Sequence, residues 1–239
     1  MNENLQSVWV YLAASPLLAL TLTLVAYQCG MWLYNKSGQN PMINPVLIAV
    51  MAIVALLSIT ATDYNTYFSG AQFVHFLLGP ATVALAIPLY RQIQKVRQSL
   101  FAISIAVFFG SLTAAISGVG IAWLLGASTQ TLLSIAPKSV TTPVAMGIAE
   151  QLGGLPTLTA VVVILTGITG AMTATRLLKL ARIDDPRASG LAIGIASHGI
   201  GTARAFQINE VAGAFSGLAM GLNALATAIL VPLLFQLFG

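Results

Sequence analysis

The sequence has very few charged residues and almost no cysteine. Only 7% of its 239 residues are Asp, Glu, Lys or Arg, whereas about a quarter are charged in a soluble domain. The single cysteine, Cys29, cannot form an internal disulfide, and we assign it no role. Together with 57% hydrophobic residues and a mean hydropathy of +0.90, this composition excludes an ordinary soluble domain and indicates an integral membrane protein.

The sequence also lacks the motifs of common enzymes. It has no phosphate-binding glycine loop followed by lysine and no nucleophile elbow. Its two histidines, His75 and His198, are far apart and have no Cys or His close by, which argues against a metal site. We therefore predict no enzymatic activity, no cofactor and no metal. The net charge of +4 arises from short basic loops, so nucleic-acid binding is not expected either.

Long apolar runs predict an all-α polytopic membrane protein that forms a single transmembrane domain over residues 1–239. Continuous rather than alternating hydrophobicity favours helices over a β-barrel. Each run approaches the length of about 20 residues that a helix needs to cross a bilayer. The sequence predicts six spans: Val8–Leu33, Ile43–Ile59, Phe73–Leu89, Leu100–Leu125, Leu158–Leu178 and Val211–Phe238.

Two basic loops, Arg91–Arg97 and Lys179–Arg187, are expected on the cytoplasmic side. The span Leu100–Leu125 then places Gly126–Gln130 outside. Residues 131–152 are interrupted at Pro137 and again at Pro143. If this element crossed the membrane, the second basic loop would lie outside, so a re-entrant element is favoured over a fully spanning broken helix.

Residues 135–153 resemble residues 195–213 at an offset of 60 positions, with seven of 19 identical, including Thr142/Thr202 and Glu150/Glu210. This similarity predicts a second broken element at 191–210. Each copy would hold one re-entrant element and one span, so the copies form an inverted repeat. Such repeats with interrupted helices are typical of secondary transporters. We expect residues 1–125 to form mainly a scaffold and residues 131–239 the core.

Polar side chains at the two breaks are the candidate binding residues. Lys138 precedes a hydroxyl-rich helix start, which suits an anion, although a lysine reaching out of a shallow turn explains it as well. Arg204 could pair with a carboxylate, or with Glu210 or Glu150. His198 could contact substrate, couple protons or satisfy a backbone carbonyl. The other candidates are Ser139, Thr141, Thr142, Ser197 and Thr202.

Three further polar residues have an open role, either coupling or structural. Glu150 and Glu210 fall near limb ends, where a structural role is favoured, yet a partly buried carboxylate can also titrate near neutrality. Asn223 lies alone in an apolar segment. It could contact substrate, but hydrogen bonding between helices is the commoner role. The small-residue runs Gly110–Gly120 and Gly213–Gly221 allow close helix contact.

The segments KSVTTPVAMGIAEQLGG (138–154) and GIASHGIGTARAFQ (194–207) resemble the two hallmark stretches of the LrgB/CidB family of bacterial membrane proteins. The resemblance covers nearly the whole chain and is weakest over the first 40 residues. It implies a multi-pass protein of the bacterial cytoplasmic (inner) membrane. It also implies a smaller membrane partner of the LrgA/CidA type.

Similarity to this family points to two functions. Bacterial members are described as holin-like or antiholin-like regulators of murein hydrolase export and lysis, whereas a related plastid protein moves glycolate and glycerate, and some bacterial pairs take up pyruvate. Because paired broken elements suit a carrier better than a pore, we expect a secondary transporter of small monocarboxylates working by alternating access. A homodimer is expected by analogy with other carriers.

Overall fold

The computed structural model describes residues 16–77, 80 and 83–238, which form helices and connecting turns without any β-strand. The helices are α1 Pro16–Lys36, α2 Pro45–Ile59, α3 Tyr64–Phe76, α4 Ala86–Arg91, α5 Ile93–Gln98, α6 Leu100–Leu124, α7 Thr129–Ile135, α8 Thr142–Gln151, α9 Pro156–Leu180, α10 Pro186–Ile208 and α11 Glu210–Phe238. The prediction of an all-α membrane protein is confirmed for this part of the chain.

Four of these helices are long and apolar enough to cross a membrane, namely α1, α6, α9 and α11. With 15 residues, α2 is shorter than a typical span. The predicted span Phe73–Leu89 is not confirmed, because α3 ends at Phe76 and α4 begins at Ala86. Residues 78, 79, 81 and 82 of that span, and the start of the predicted span Val8–Leu33, lie outside the described residues.

The chain divides into two compact units, residues 1–84 and 85–239. In the first unit, α1 packs against α2 and α3. Gly30 of α1 lies against the backbone of Pro45 at the start of α2, where a Cβ would meet the Pro45 carbonyl oxygen at 2.6 Å. The hydroxyls of Thr23 and Tyr67 lie 2.7 Å apart and join α1 to α3.

In the second unit, helices α7 and α8 form a helical hairpin, here called hairpin 1 (129–151). The turn at 136–141 separates the two helices, as the prolines predict. After α8 the chain comes back beside α7, because the Leu155 amide donates to Ser134 Oγ at 2.7 Å. Ala136 also packs in one apolar cluster with Ile148, on the other limb.

Helix α10 contains a second reversal and is called hairpin 2 (186–208). The backbone at His198 is non-helical, with φ 40° and ψ −134°. A Cβ on Gly201 would lie 2.9 Å from Ile193 Cγ2, although eight residues of continuous helix would span about 12 Å. The two limbs therefore lie side by side.

Helices α10 and α11 both begin with a side-chain cap. Asp185 accepts a hydrogen bond from the Arg187 amide at 2.8 Å at the start of α10. The Arg187 side chain also donates to this carboxylate, which lowers the pKa of Asp185. After the hairpin, Asn209 Oδ1 accepts from the Val211 amide at 2.8 Å and begins α11.

Candidate functional site

The two hairpin tips meet at the middle of α11. The side-chain nitrogen of Asn223 donates to the carbonyl of Ser139 in the tip of hairpin 1, at 3.1 Å. The same nitrogen donates to the carbonyl of Ile195, just before the tip of hairpin 2, at 3.0 Å. Asn223 is fully buried. The open prediction for this residue is thus answered in part, because it does hydrogen-bond between helices.

Along α11 and α6, the packing partner changes from one hairpin to the other at the level of Asn223. On one side of Asn223, Gly194 of hairpin 2 lies against the backbone of Ser216. On the other side, Val231 packs with Ala136 and Ile148 of hairpin 1. Helix α6 behaves in the same way, since Gly110 faces Ile195, while Gly118 faces Lys138. Helices α6 and α11 therefore each contact hairpin 2 with one half and hairpin 1 with the other.

The order of contacts along α9 is the same. Near its start, Thr159 donates to the Ser134 carbonyl of hairpin 1 at 2.9 Å. Next along the helix, Val163 packs with Val140 and Ala145 of hairpin 1 and also accepts a hydrogen bond from His198. Further on, Gly170 lies against Ser197, and Ala174 packs on the base of hairpin 2. The two tips are therefore neighbours at the level of Val163.

His198 forms the tip of hairpin 2. A positive φ is uncommon for a residue with a side chain. Contacts of the surrounding structure must therefore compensate for this strained backbone conformation. The ring lies over Gly167, where a Cβ would meet His198 Cε1 at 2.7 Å. His198 Nε2 is 3.0 Å from the Val163 carbonyl oxygen. Because a carbonyl can only accept, Nε2 carries the proton in this contact.

Hydroxyl groups and one cation surround the tips. Thr202 donates to the His198 carbonyl at 2.8 Å, and its hydroxyl lies 2.9 Å from that of Ser216. Lys138 is half-buried, and its Nζ lies 3.5 Å from Ser139 Oγ. Its aliphatic stem lies against Gly118 of α6. Such a group of donors can hold an anion, provided that the donors reach a common space.

The LrgB-like family model matches residues 23–237, which is nearly the whole chain and includes both hairpins. The chain belongs to the LrgB-like family. This result confirms the resemblance that the two hallmark segments indicated.

Named relatives align over almost their full length with this LrgB-like chain. The "Holin-like protein CidB" of Staphylococcus epidermidis is 33% identical over 238 residues, which cover 100% of both chains. The "Holin-like protein CidB" of Staphylococcus aureus is 33% identical over 230 residues, 93% of this chain and 96% of the relative. The "Uncharacterized protein YxaC" of Bacillus subtilis is 38% identical over 226 residues, 95% of this chain and 98% of the relative. No solved structure matches the chain.

Three of the remaining predicted residues, Arg204, Glu210 and Glu150, lie further from the tips, whereas Thr141 and Thr142 belong to the tip of hairpin 1. Arg204 is on the second limb of hairpin 2, about 9 Å beyond His198 along the helix. Its guanidinium donates to Gln207 at 3.1 Å. Glu210 is exposed and forms an ion pair of 3.6 Å with Arg91. Glu150 is exposed at the end of hairpin 1. Thr141 and Thr142 are half-buried where α8 begins.

Next to hairpin 1 is a groove of about 440 Å³. It lies between α6, α7 and the far end of α11, and its lining includes Ile116, Trp123, Leu132 and Phe235. Apart from the indole N–H of Trp123, these side chains offer no hydrogen-bond donor to an anion. The groove therefore does not serve as the carboxylate site that the sequence predicts.

Several residues that build the site were not picked out from the sequence. Ser111 and Ser216 bond to the core of the site, and Gly167 makes room for the His198 ring. Both serines lie within the small-residue runs that predict close helix contact, and the tight packing at Gly110 and Gly118 confirms that expectation for α6. The runs thus locate the interface, but the serines within them carry no sequence signal of their own.

Proposed function

We propose that this chain is a secondary carrier of small monocarboxylates such as glycolate, glycerate or pyruvate. One observation carries the proposal. Two helical hairpins place their interrupted tips together at Asn223, near the middle of a helix long enough to cross a membrane. Broken helices at that depth expose backbone groups and helix ends, and these are tolerated where they line a cavity or are buried in protein.

The fold proposed for this carrier has about six spans and two re-entrant hairpins that enter from opposite sides as an inverted repeat. Three features support it: the offset of 60 residues between the repeats, the reversal in each hairpin, and the division of α6, α9 and α11 between the hairpins. The positive-inside rule supports cytoplasmic positions for Arg91 and Lys179. We propose the bacterial inner membrane as the location, and the scaffold role of residues 1–125 stays a prediction.

Substrate binding is assigned to the polar groups of the two tips and to Arg204 on the second limb of hairpin 2. Lys138 supplies a positive charge for the carboxylate, and Arg204 supplies a second, bidentate cation as the carrier changes state. Donors for the carboxylate and for the 2-hydroxy or 2-oxo group come from the hydroxyls and the imidazole, namely Ser139, Thr141, Thr142, Ser197, His198 and Thr202. Glu150 and Glu210 are the candidates for proton coupling. Transport of this kind requires no chemical conversion of the substrate.

The second candidate function is holin-like control of murein hydrolase export and lysis, exerted with a small partner of the LrgA/CidA type. The names of the staphylococcal relatives favour this candidate over the carrier. The arrangement of the hairpins favours the carrier, because an oligomeric pore has little use for two interrupted elements that meet in the interior. We place the carrier first on that geometry and expect it to form a homodimer.

Purified protein in liposomes separates the two candidates. We expect saturable uptake of labelled glycolate while an unrelated entrapped dye is retained. Arg204→Ala should abolish uptake without loss of folding, whereas Arg187→Ala, in the first turn of hairpin 2 and far from its tip, should leave uptake unchanged. Leakage of glycolate and dye at equal rates would support a pore. If the purified chain takes up no glycolate by itself but does so when the small partner is added to the liposomes, the carrier is a complex of the two proteins.

A further inference from the structure

Asn223 has hydrogen bonds on both sides of its amide group. Besides the two carbonyls that its nitrogen contacts, its Oδ1 accepts from Ser111 Oγ of α6 at 2.5 Å. Thr227, one turn further along α11, also donates to Oδ1, at 3.3 Å. Because the two tip carbonyls can only accept, the NH2 side of the amide must face them. The hydroxyls then fix the opposite side of the group.

The two carbonyls that accept hydrogen bonds from Asn223 lie at helix ends. Ser139 lies in the turn between α7 and α8, and Ile195 lies in the last turn before the break at His198. The final carbonyls of a helical segment have no amide of their own helix to bond. In apolar surroundings an unpaired carbonyl is costly. One side chain therefore satisfies a buried backbone carbonyl in each hairpin.

From this geometry we propose that Asn223 is a positioning residue that couples the two hairpin tips through a single amide. If the amide is lost, both tips are released together, although the tips are 56 positions apart in the sequence (139 and 195). For its effect on substrate affinity the inference rests on the proposed carrier function. For the coupling of the tips it rests only on the contacts of Asn223.

Other buried hydrogen bonds reach only one hairpin and provide matched controls. Ser216, also in α11 and fully buried, bonds to Thr202 of hairpin 2. Thr159, in α9 and fully buried, bonds to Ser134 of hairpin 1. Ser216→Ala and Thr159→Val thus remove one buried hydroxyl each, and each should affect one hairpin. Asn223→Leu keeps the number and branching of the side-chain heavy atoms but removes the amide that donates to both tips.

Hydrogen–deuterium exchange of the purified full chain tests the coupling. We expect Asn223→Leu to speed backbone exchange roughly 10-fold in both segments 136–142 and 195–202, the order expected for losing one hydrogen bond at each tip. Exchange in the middle of α9 should stay unchanged, which a general loss of stability would not allow. Ser216→Ala should speed exchange only in segment 195–202, and Thr159→Val should speed exchange only in hairpin 1.

A second variant covers the case in which Asn223→Leu does not fold. Ser111→Ala removes a hydroxyl that bonds to Asn223 Oδ1 and to the Val107 carbonyl of its own helix. It should therefore speed exchange in both tips by a smaller factor. Faster exchange in only one tip, or in neither, for whichever of the two variants folds, would overturn the coupling.

Uptake assays distinguish this inference from the proposed function. In a working carrier, Asn223→Leu should raise the half-saturating glycolate concentration at least several-fold more than Ser216→Ala does. An equal rise in both variants would overturn the effect assigned to substrate affinity. If the wild-type protein takes up no substrate, the carrier proposal fails, while the exchange results still decide whether Asn223 couples the tips.

Discussion

Replacing Gly194 with alanine is expected to destabilise the protein strongly. Gly194 lies in the first limb of hairpin 2, where its Cα faces the backbone of α11. A Cβ at this position would overlap the carbonyl oxygen of Ser216 and approach Ala219 Cβ to 2.9 Å. A side chain can rotate away from such a clash, but a helix backbone cannot. The limb must therefore move away from α11.

Moving the limb would disturb the neighbouring contacts that build the site. Ile195 follows Gly194 directly and accepts the hydrogen bond of Asn223. Overpacking of a close-packed interior typically costs about 1–3 kcal/mol, and more where backbone must shift. For a chain of this size we expect a decrease of roughly 5–10 °C in the midpoint of thermal unfolding.

Gly120 provides the matched control for this substitution. It is also a glycine within a long helix, but a Cβ at Gly120 would have no atom within 4 Å. Since alanine is favoured over glycine in helices by about 1 kcal/mol, Gly120→Ala should leave the unfolding midpoint unchanged or raise it. Equal midpoints for Gly194→Ala and Gly120→Ala in detergent would contradict the close packing of hairpin 2 on α11.

Lys138→Met is expected to reduce glycolate uptake roughly 100-fold, if the chain is the carrier that we propose. Methionine retains the length of the lysine stem that packs on Gly118, so the packing of hairpin 1 on α6 should survive. What is lost is the positive charge at the tip. A carboxylate taken out of water without this charge has an uncompensated cost of desolvation.

The effect of Lys138→Met should appear as lost uptake at an unchanged unfolding midpoint. Lys179→Met, in the exposed last turn of α9, removes the same charge away from the tips and should retain uptake. Wild-type uptake by folded Lys138→Met would show that Lys138 does not bind substrate, and the alternative interpretation, a lysine that reaches out of a shallow turn, would then be correct.

The positions of the two breaks could be predicted from the sequence because they depend on local chemistry. Pro137 and Pro143 cannot continue a regular helix, and the structure has its turn at 136–141. The second break was located through the repeat, since hairpin 2 contains no proline between Pro186 and Ile208. Instead, the reversal takes place at His198, whose positive φ cannot be read from residue type.

Contacts between distant segments could not be predicted in the same way. The sequence left Glu210 as a possible partner of Arg204, whereas Glu210 pairs with Arg91 and Arg204 donates to Gln207. Which partner a charged residue takes depends on how the helices are packed. The span that hydrophobicity predicts at Phe73–Leu89 is likewise not confirmed, because α3 ends at Phe76 and α4 begins at Ala86.

The most direct test of this account is the side from which each hairpin enters the membrane. In a Cys29→Ser background, single cysteines would replace Gln130 at the start of hairpin 1 and Asp184 before hairpin 2, both exposed positions. A membrane-impermeant maleimide should label Gln130→Cys only from outside and Asp184→Cys only from the cytoplasm, as it labels Gln94→Cys in the first basic segment. Labelling of Gln130→Cys and Asp184→Cys from the same side would contradict the opposed hairpins.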